Sequence, residues 1–112
     1  MRYSRYGAKA QWCEIGGRRI YFRSMLERDY CRKLELAKQA NKILEWEHEP
    51  VTFWFEGIKR GVTNYTPDFR ITELDGSQWY AETKGYMDSK SATKIKRMAK
   101  YHPEVKLVVV KR

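Results

Sequence analysis

Cysteine, acids and long apolar runs are all scarce in this sequence. Its two cysteines, Cys13 and Cys31, stand far apart, with no CxxC pair and no cysteine–histidine cluster. A disulfide framework and a zinc site are therefore not expected; two reduced thiols of a cytoplasmic protein are. No stretch is long and apolar enough for a membrane helix, and no lipidation signal is present. The opening Met1-Arg-Tyr-Ser-Arg-Tyr6 is basic, but no apolar run follows it, so no secretory leader is expected. Linkers, internal repeats and low-complexity segments are missing too. Aspartate and glutamate number 14 against 23 lysines and arginines, a net charge of +9. On so short a chain, with a pI near 9.7, that excess points to a polyanionic partner. Nucleic acid comes first, and an anionic membrane surface is the rival without a supporting signal.

A chain of 112 residues, 42% hydrophobic and 33% charged, suits one globular domain over 1–112. Its core is modest, so a homodimer would add stability. Residues 1–10 interleave Arg2, Arg5 and Lys9 with Tyr3 and Tyr6, which reads as a basic arm, either on a phosphate backbone or frayed in solvent. Over 11–23, Gly16-Gly17 divides two strand-like runs, a two-residue hairpin signal, with Arg18, Arg19 and Arg23 beside it.

The core is read over 24–111. Ser24 starts a helix with Leu26, Tyr30, Leu34 and Ala37 near one stripe, and Asn41 as a stop. Ser24-x-x-Glu27 spells a capping box, in which Glu27 bonds back to the Ser24 amide. Glu27 is also a candidate catalytic acid, though the local sequence favours the cap. Leu44 to Glu49 is short and acidic and ends at Pro50. Three strands are expected next, over Val51–Phe55, Val62–Ile71 and Gln78–Lys84, as an antiparallel meander with Asp75-Gly76 at the second turn. Asp88 or Ser89 caps a second helix to about Tyr101, with Ala92, Ile95, Met98 and Ala99 on its apolar face. Lys90, Lys94, Lys96, Arg97 and Lys100 cover the rest, with no acid between Ser89 and Tyr101 to offset them. Such a run is often a solvated face; one sign throughout, after an acidic centre, favours phosphate binding. Leu107-Val-Val-Val110 reads as a strand buried on both faces and parallel to the third. The fold class is α/β: helices over a mixed sheet, with an added N-terminal β-hairpin.

The chemistry centres on Tyr65-Thr-Pro-Asp-Phe-Arg-Ile71 and Trp79-Tyr-Ala-Glu-Thr-Lys-Gly85. Alternation puts Asp68 opposite Phe69, and Glu82 with Lys84 on one face. A hairpin between them lets Asp68, Glu82 and Lys84 converge. Two acids and an amine so placed can hold a hard divalent cation and a water. Taken singly, Glu82 and Lys84 are an exposed ion pair worth under about 1 kcal/mol, and Asp68 after Pro67 is turn chemistry. The trend towards chemistry comes from the set.

Pro67-Asp68 with Glu82-Thr83-Lys84, in an α-β-β-β-α-β order, resembles the PD-(D/E)xK, or restriction-endonuclease-like, nuclease superfamily. Ser24-Met-Leu-Glu27, Glu47-His-Glu-Pro50 and Tyr65-Thr-Pro-Asp68 are most similar to small phage-encoded nucleases of the endonuclease I type, which resolve branched DNA, and to the nuclease subunit of heteromeric transposases. The resemblance covers most of the chain beyond the arm and hairpin. It implies a Mg2+-dependent DNA endonuclease leaving 5′-phosphate and 3′-hydroxyl ends, with Mn2+ able to substitute, acting in a bacterial cytoplasm if phage-encoded. It implies that Asp68, Glu82 and the Thr83 carbonyl ligate the metal, that Lys84 orients or deprotonates the attacking water, and that Glu27 serves this metal or a second one. Arg18, Arg19 and the lysines and arginine of the second helix would contact DNA. Nothing reads as a base-recognition helix, so branched or distorted duplex is the expected substrate. A non-catalytic nucleic-acid-binding module with a degenerate nuclease fold accounts for the charge equally well.

Overall fold

Gly16 and Gly17 both adopt the left-handed backbone that a tight hairpin turn requires, at φ 61° and 77°. They join β1 (Gln11–Ile15) to β2 (Arg18–Phe22), paired antiparallel from Gln11↔Phe22 to Ile15↔Arg18. This computed structural model describes residues 10–111; the basic arm, apart from residue 10, lies outside the described residues.

Helix α1 (Met25–Gln39) follows, capped by Ser24, whose Oγ accepts the Glu27 amide at 3.1 Å. It closes on Asn41 in left-handed backbone at φ 58°. The Asn41 and Lys42 amides return to the Lys38 and Ala37 carbonyls, which satisfies the last turn. The buried stripe is Glu27, Cys31 and Leu34, so a carboxylate occupies the first position of an otherwise apolar seam.

The central sheet has four strands in the order β3–β6–β7–β8. They are β3 (Glu45–His48), β6 (Phe69–Thr72), β7 (Gln78–Lys84) and β8 (Leu107–Lys111). β3 and β7 pair antiparallel with β6, and β8 runs parallel to β7. Helix α2 (Ser89–Tyr101) makes that crossover, capped by Asp88, whose Oδ1 accepts the Ser91 amide at 2.7 Å. The described residues thus form two helices and eight strands: the helices and the four-stranded sheet follow the α-β-β-β-α-β order, with the N-terminal hairpin and one further two-stranded piece added.

Four expectations are corrected. The first strand of the core is Glu45–His48, not Val51–Phe55. Its glutamates are paired: Glu45 with Arg18 and Lys38, Glu47 with Arg70. The run Val62–Ile71 divides at Pro67, which has no N–H to continue a ladder. Its first part is β5 (Asn64–Tyr65), paired with β4 (Phe53–Trp54) in a separate two-stranded piece. Finally, β8 is an edge strand with Val108 exposed, rather than buried on both faces, and Ala99 of α2 is exposed too.

Each face of the sheet carries an apolar cluster. Phe22, Cys31, Leu34, Trp46, Phe69, Ile71 and Ala81 join α1 and the hairpin on one side. Phe55, Tyr65 and Met98 join α2 to β4 and β5 on the other. Phe69 is wholly buried, edge-on to the rings of Tyr30, Trp46 and His48. Phe69→Ala is expected to cost about 3–5 kcal/mol, read as a lower urea midpoint at unchanged slope. Both cysteines are free thiols, and among the described residues no helix is long and apolar enough to cross a membrane.

Candidate active site

The β6–β7 ladder ends at Phe69↔Ala81. Continuing that register would set Pro67 against Thr83, and proline can neither donate nor extend the ladder. Asp68 fills the gap: its Oδ2 accepts both the Thr83 amide, at 2.8 Å, and the Thr83 hydroxyl, at 2.7 Å. The Asp68 carbonyl accepts the Glu49 amide from the β3 side. Asp68 therefore sits at the mouth between two diverging strands, held by side chain and backbone together.

Alternation along β7 sorts its residues. Trp79 and Ala81 pack into the α1 cluster. Tyr80 meets Phe53, and Glu82 accepts the Tyr65 hydroxyl on Oε1 at 2.6 Å, so these two face β4 and β5. Lys84 shares that side, its Nζ 3.9 Å from Glu82 Oε2. The expected convergence of Asp68, Glu82 and Lys84 is present. Glu27 reaches the same centre from α1, on the other side of the sheet, close enough to raise the Asp68 carboxyl by its charge.

Burial governs the electrostatics. It pushes the Asp68 carboxyl up to about 7, helped by Glu82 and Glu27 and opposed by the two Thr83 bonds. Burial also raises Glu82, against the pull of Tyr65, Lys84 and Lys94. The Tyr65 phenol is pushed up by burial and by Glu82 beside it, so it stays a donor. Both hydrogen bonds to Asp68 fall on Oδ2, and Oδ1 receives none among the described residues. Two buried carboxylates, one with an oxygen lacking a donor among the described residues, keep donor capacity open beside the Lys84 and Lys94 ammoniums. Hard oxygen donors in that state fit a magnesium ion.

Glu27 plays a different cap from the one expected. Its Oε1 accepts the Arg23 amide at 3.1 Å, not the Ser24 amide, while Oε2 meets His48 Nε2 at 2.6 Å. Thr83 holds Asp68 through its amide and hydroxyl, a role apart from the carbonyl ligand expected of it. The proposed phosphate contacts divide. Arg18 bonds the Trp46 carbonyl, pairs with Glu45 and lies over the Trp46 ring, and Arg97 bonds the Val62 carbonyl. Lys94 Nζ lies 5.9 Å from the centre of the Tyr65 ring, and its charge acts on Glu82. Arg19, Lys90, Lys96 and Lys100 are exposed.

Sequence reasoning assigned no role to Tyr65, His48, Glu49 or Arg23. Tyr65 carried a signal, standing three residues before Asp68 in the central stretch. His48 carried one as well: with Trp46 it alternates against Glu45 and Glu47, which places it inward.

The chain belongs to DUF1064, a family described as protein of unknown function, which it matches over residues 3–112. No curated protein matches it.

Proposed function

We propose that this chain is a Mg2+-dependent DNA endonuclease of the PD-(D/E)xK type, hydrolysing phosphodiesters in branched or distorted duplex. The observation that carries the reading is the pair of buried carboxylates, Asp68 and Glu82, beside Lys84 where β6 and β7 part. Such an arrangement costs stability unless a cation or a proton joins it.

In this reading Asp68 Oδ1 and Glu82 hold the metal, and Mn2+ substitutes for Mg2+. Magnesium, when bound, would neutralise non-bridging phosphate oxygens and lower the pKa of a coordinated water. Thr83 fixes the Asp68 carboxylate and Tyr65 fixes that of Glu82, so neither must reorganise as phosphate arrives. Lys84 offers N–H donors to the attacking water or to the phosphate. Lys90, Lys96, Lys100 and Arg19 supply exposed charge for the DNA backbone, and Lys94 is near enough to Glu82 to reach the scissile region. The substrate, the homodimer, the phage-type role and the cytoplasmic setting rest on the resemblance. Trp54, exposed on β4, is available to a second subunit.

The test is a labelled four-way junction and a matched linear duplex, incubated with magnesium, manganese or chelator. Cutting of the junction in either metal and none with chelator is the expected result. Equal cutting of both substrates would keep the nuclease and remove the junction preference. Binding without cutting would favour a non-catalytic nucleic-acid-binding module, which the net charge of +9 accommodates equally. In either case binding is expected to weaken by roughly 10³-fold between about 50 and about 200 mM salt, as several phosphate contacts require.

A further inference from the structure

A second set of donors meets where the first turn of α1 passes the end of β3. Glu27, His48 and Glu49 each present one ligating atom, and these atoms lie within 4.8 Å of one another. Every member is constrained. Glu27 is 3% exposed and its carboxylate bridges the Arg23 amide and His48. The His48 ring is held edge-on to Phe22 and Phe69, at centroid distances of 5.4 and 5.3 Å. Glu49 has a left-handed backbone at φ 48°, which a glutamate adopts only under constraint, pinned by its amide on the Asp68 carbonyl. Pre-set donors of this kind are what a metal site needs from its protein.

Charge points the same way. Glu27, Glu49 and the nearby Asp68 are three acids, and one guanidinium, that of Arg23, feels all three. It pairs with Glu49 Oε2 at 2.6 Å, yet the Arg23 side chain is 69% exposed, and an exposed pair of this kind is weakly held. Asp68 is nine-tenths buried, and among the described residues its Oδ1 receives no donor. A groove of about 500 Å³ has His48 and Glu49 in its wall, with Arg19 and Tyr21 opposite, and gives solvent an approach.

We propose that Glu27, His48 and Glu49 form a binding site for a first-row transition ion of the manganese class, with Arg23 as the counter-ion that the metal displaces. The imidazole decides the class: magnesium takes an all-oxygen shell, whereas a nitrogen donor beside carboxylates suits manganese, iron or zinc. The ion would take the place of the hydrogen bond between Glu27 and His48 and draw Glu49 off Arg23. This site does not require Asp68 or Glu82 to hold a metal.

Manganese is the probe, because its electron spin reports the nuclei that ligate it. Pulsed electron paramagnetic resonance of the manganese-loaded chain is expected to show hyperfine coupling to one directly bound nitrogen. That coupling is expected to persist in the double variant Asp68→Asn/Glu82→Gln and to vanish in His48→Gln, whose manganese affinity at this site falls about tenfold or more. Arg23→Gln is expected to tighten binding about threefold or more, since a competing cation is gone. A wild-type spectrum without nitrogen coupling, or one unchanged by His48→Gln, overturns the proposal whatever the folding of the variants. Manganese bound without nitrogen coupling, and lost in the double variant, would leave the nuclease reading standing while removing this site.

Discussion

Glu82→Gln is expected to abolish metal-dependent cleavage, by about 10³-fold or more, while DNA binding at low salt stays within about threefold. The substitution is nearly isosteric. The Tyr65 hydroxyl can still donate to the side-chain oxygen that replaces Oε1, so the local packing has no reason to change. What disappears is one negative charge from a buried pair and one anionic metal ligand. A stability loss is therefore not expected, and near neutral pH the variant should melt no lower than the parent. Lys84→Ala should separate from it. That variant loses the ammonium 3.9 Å from Glu82, so cleavage falls, while calorimetry should still register magnesium. Triple replacement of the exposed Lys90, Lys96 and Lys100 by alanine should do the reverse, weakening binding and flattening its salt dependence by roughly one contact per lysine. Full cleavage by Glu82→Gln would sink the nuclease assignment. Loss of cleavage with loss of fold, read by circular dichroism, would instead mark Glu82 as structural.

Legibility in the sequence followed how local the cause is. The hairpin was readable because Gly16-Gly17 has one strong use between strand-like runs, and the ends of both helices because Ser24, Asn41 and Asp88 act on amides a few residues away. The meeting of Asp68, Glu82 and Lys84 was readable because period-two alternation and one turn, at Asp75-Gly76, suffice to relate them. Strand β3 was not. Glu45-Trp-Glu-His48 resembles an acidic loop until Arg18, Lys38 and Arg70, distant in the chain, neutralise its outer face. The alternation that turns His48 inward has meaning only once that stretch is a strand, and its partner there is Glu27, a carboxylate where the α1 stripe calls for an apolar residue. Cationic residues were countable, but which of them the fold engages was not: Arg18 and Arg97 bond backbone carbonyls that only the tertiary structure brings near.

The second large effect concerns the pH dependence of stability. The Asp68 carboxyl is raised from 3.8 to about 7 by burial, Glu82 and Glu27. Its folded-state pKa lies above the unfolded one, so between the two values the folded state binds the extra proton. The stability this contributes is fully present below about pH 4 and is lost as pH rises through about 7. The loss is on the order of 2–4 kcal/mol, at about 1.4 kcal/mol for each factor of ten in proton affinity. Asp68→Asn isolates it, because the amide oxygen can still accept from the Thr83 amide and hydroxyl. Glu35, Glu45 and Glu47 are lowered by their partners and act with the opposite sign, gaining stability as pH rises above their ordinary range. They are common to both proteins and cancel in the difference. The two chains should thus match near about pH 4, with the asparagine variant the more stable by that amount near about pH 8. Magnesium should narrow the gap at the higher pH, because a cation between Asp68 and Glu82 relieves in the parent the repulsion that the variant lacks. A difference that stays flat from about pH 4 to about pH 8 would mean that Asp68 ionises in the fold without penalty. A divalent ion would then have no charge imbalance to correct, and the electrostatic case for a metal at this centre would fall with it.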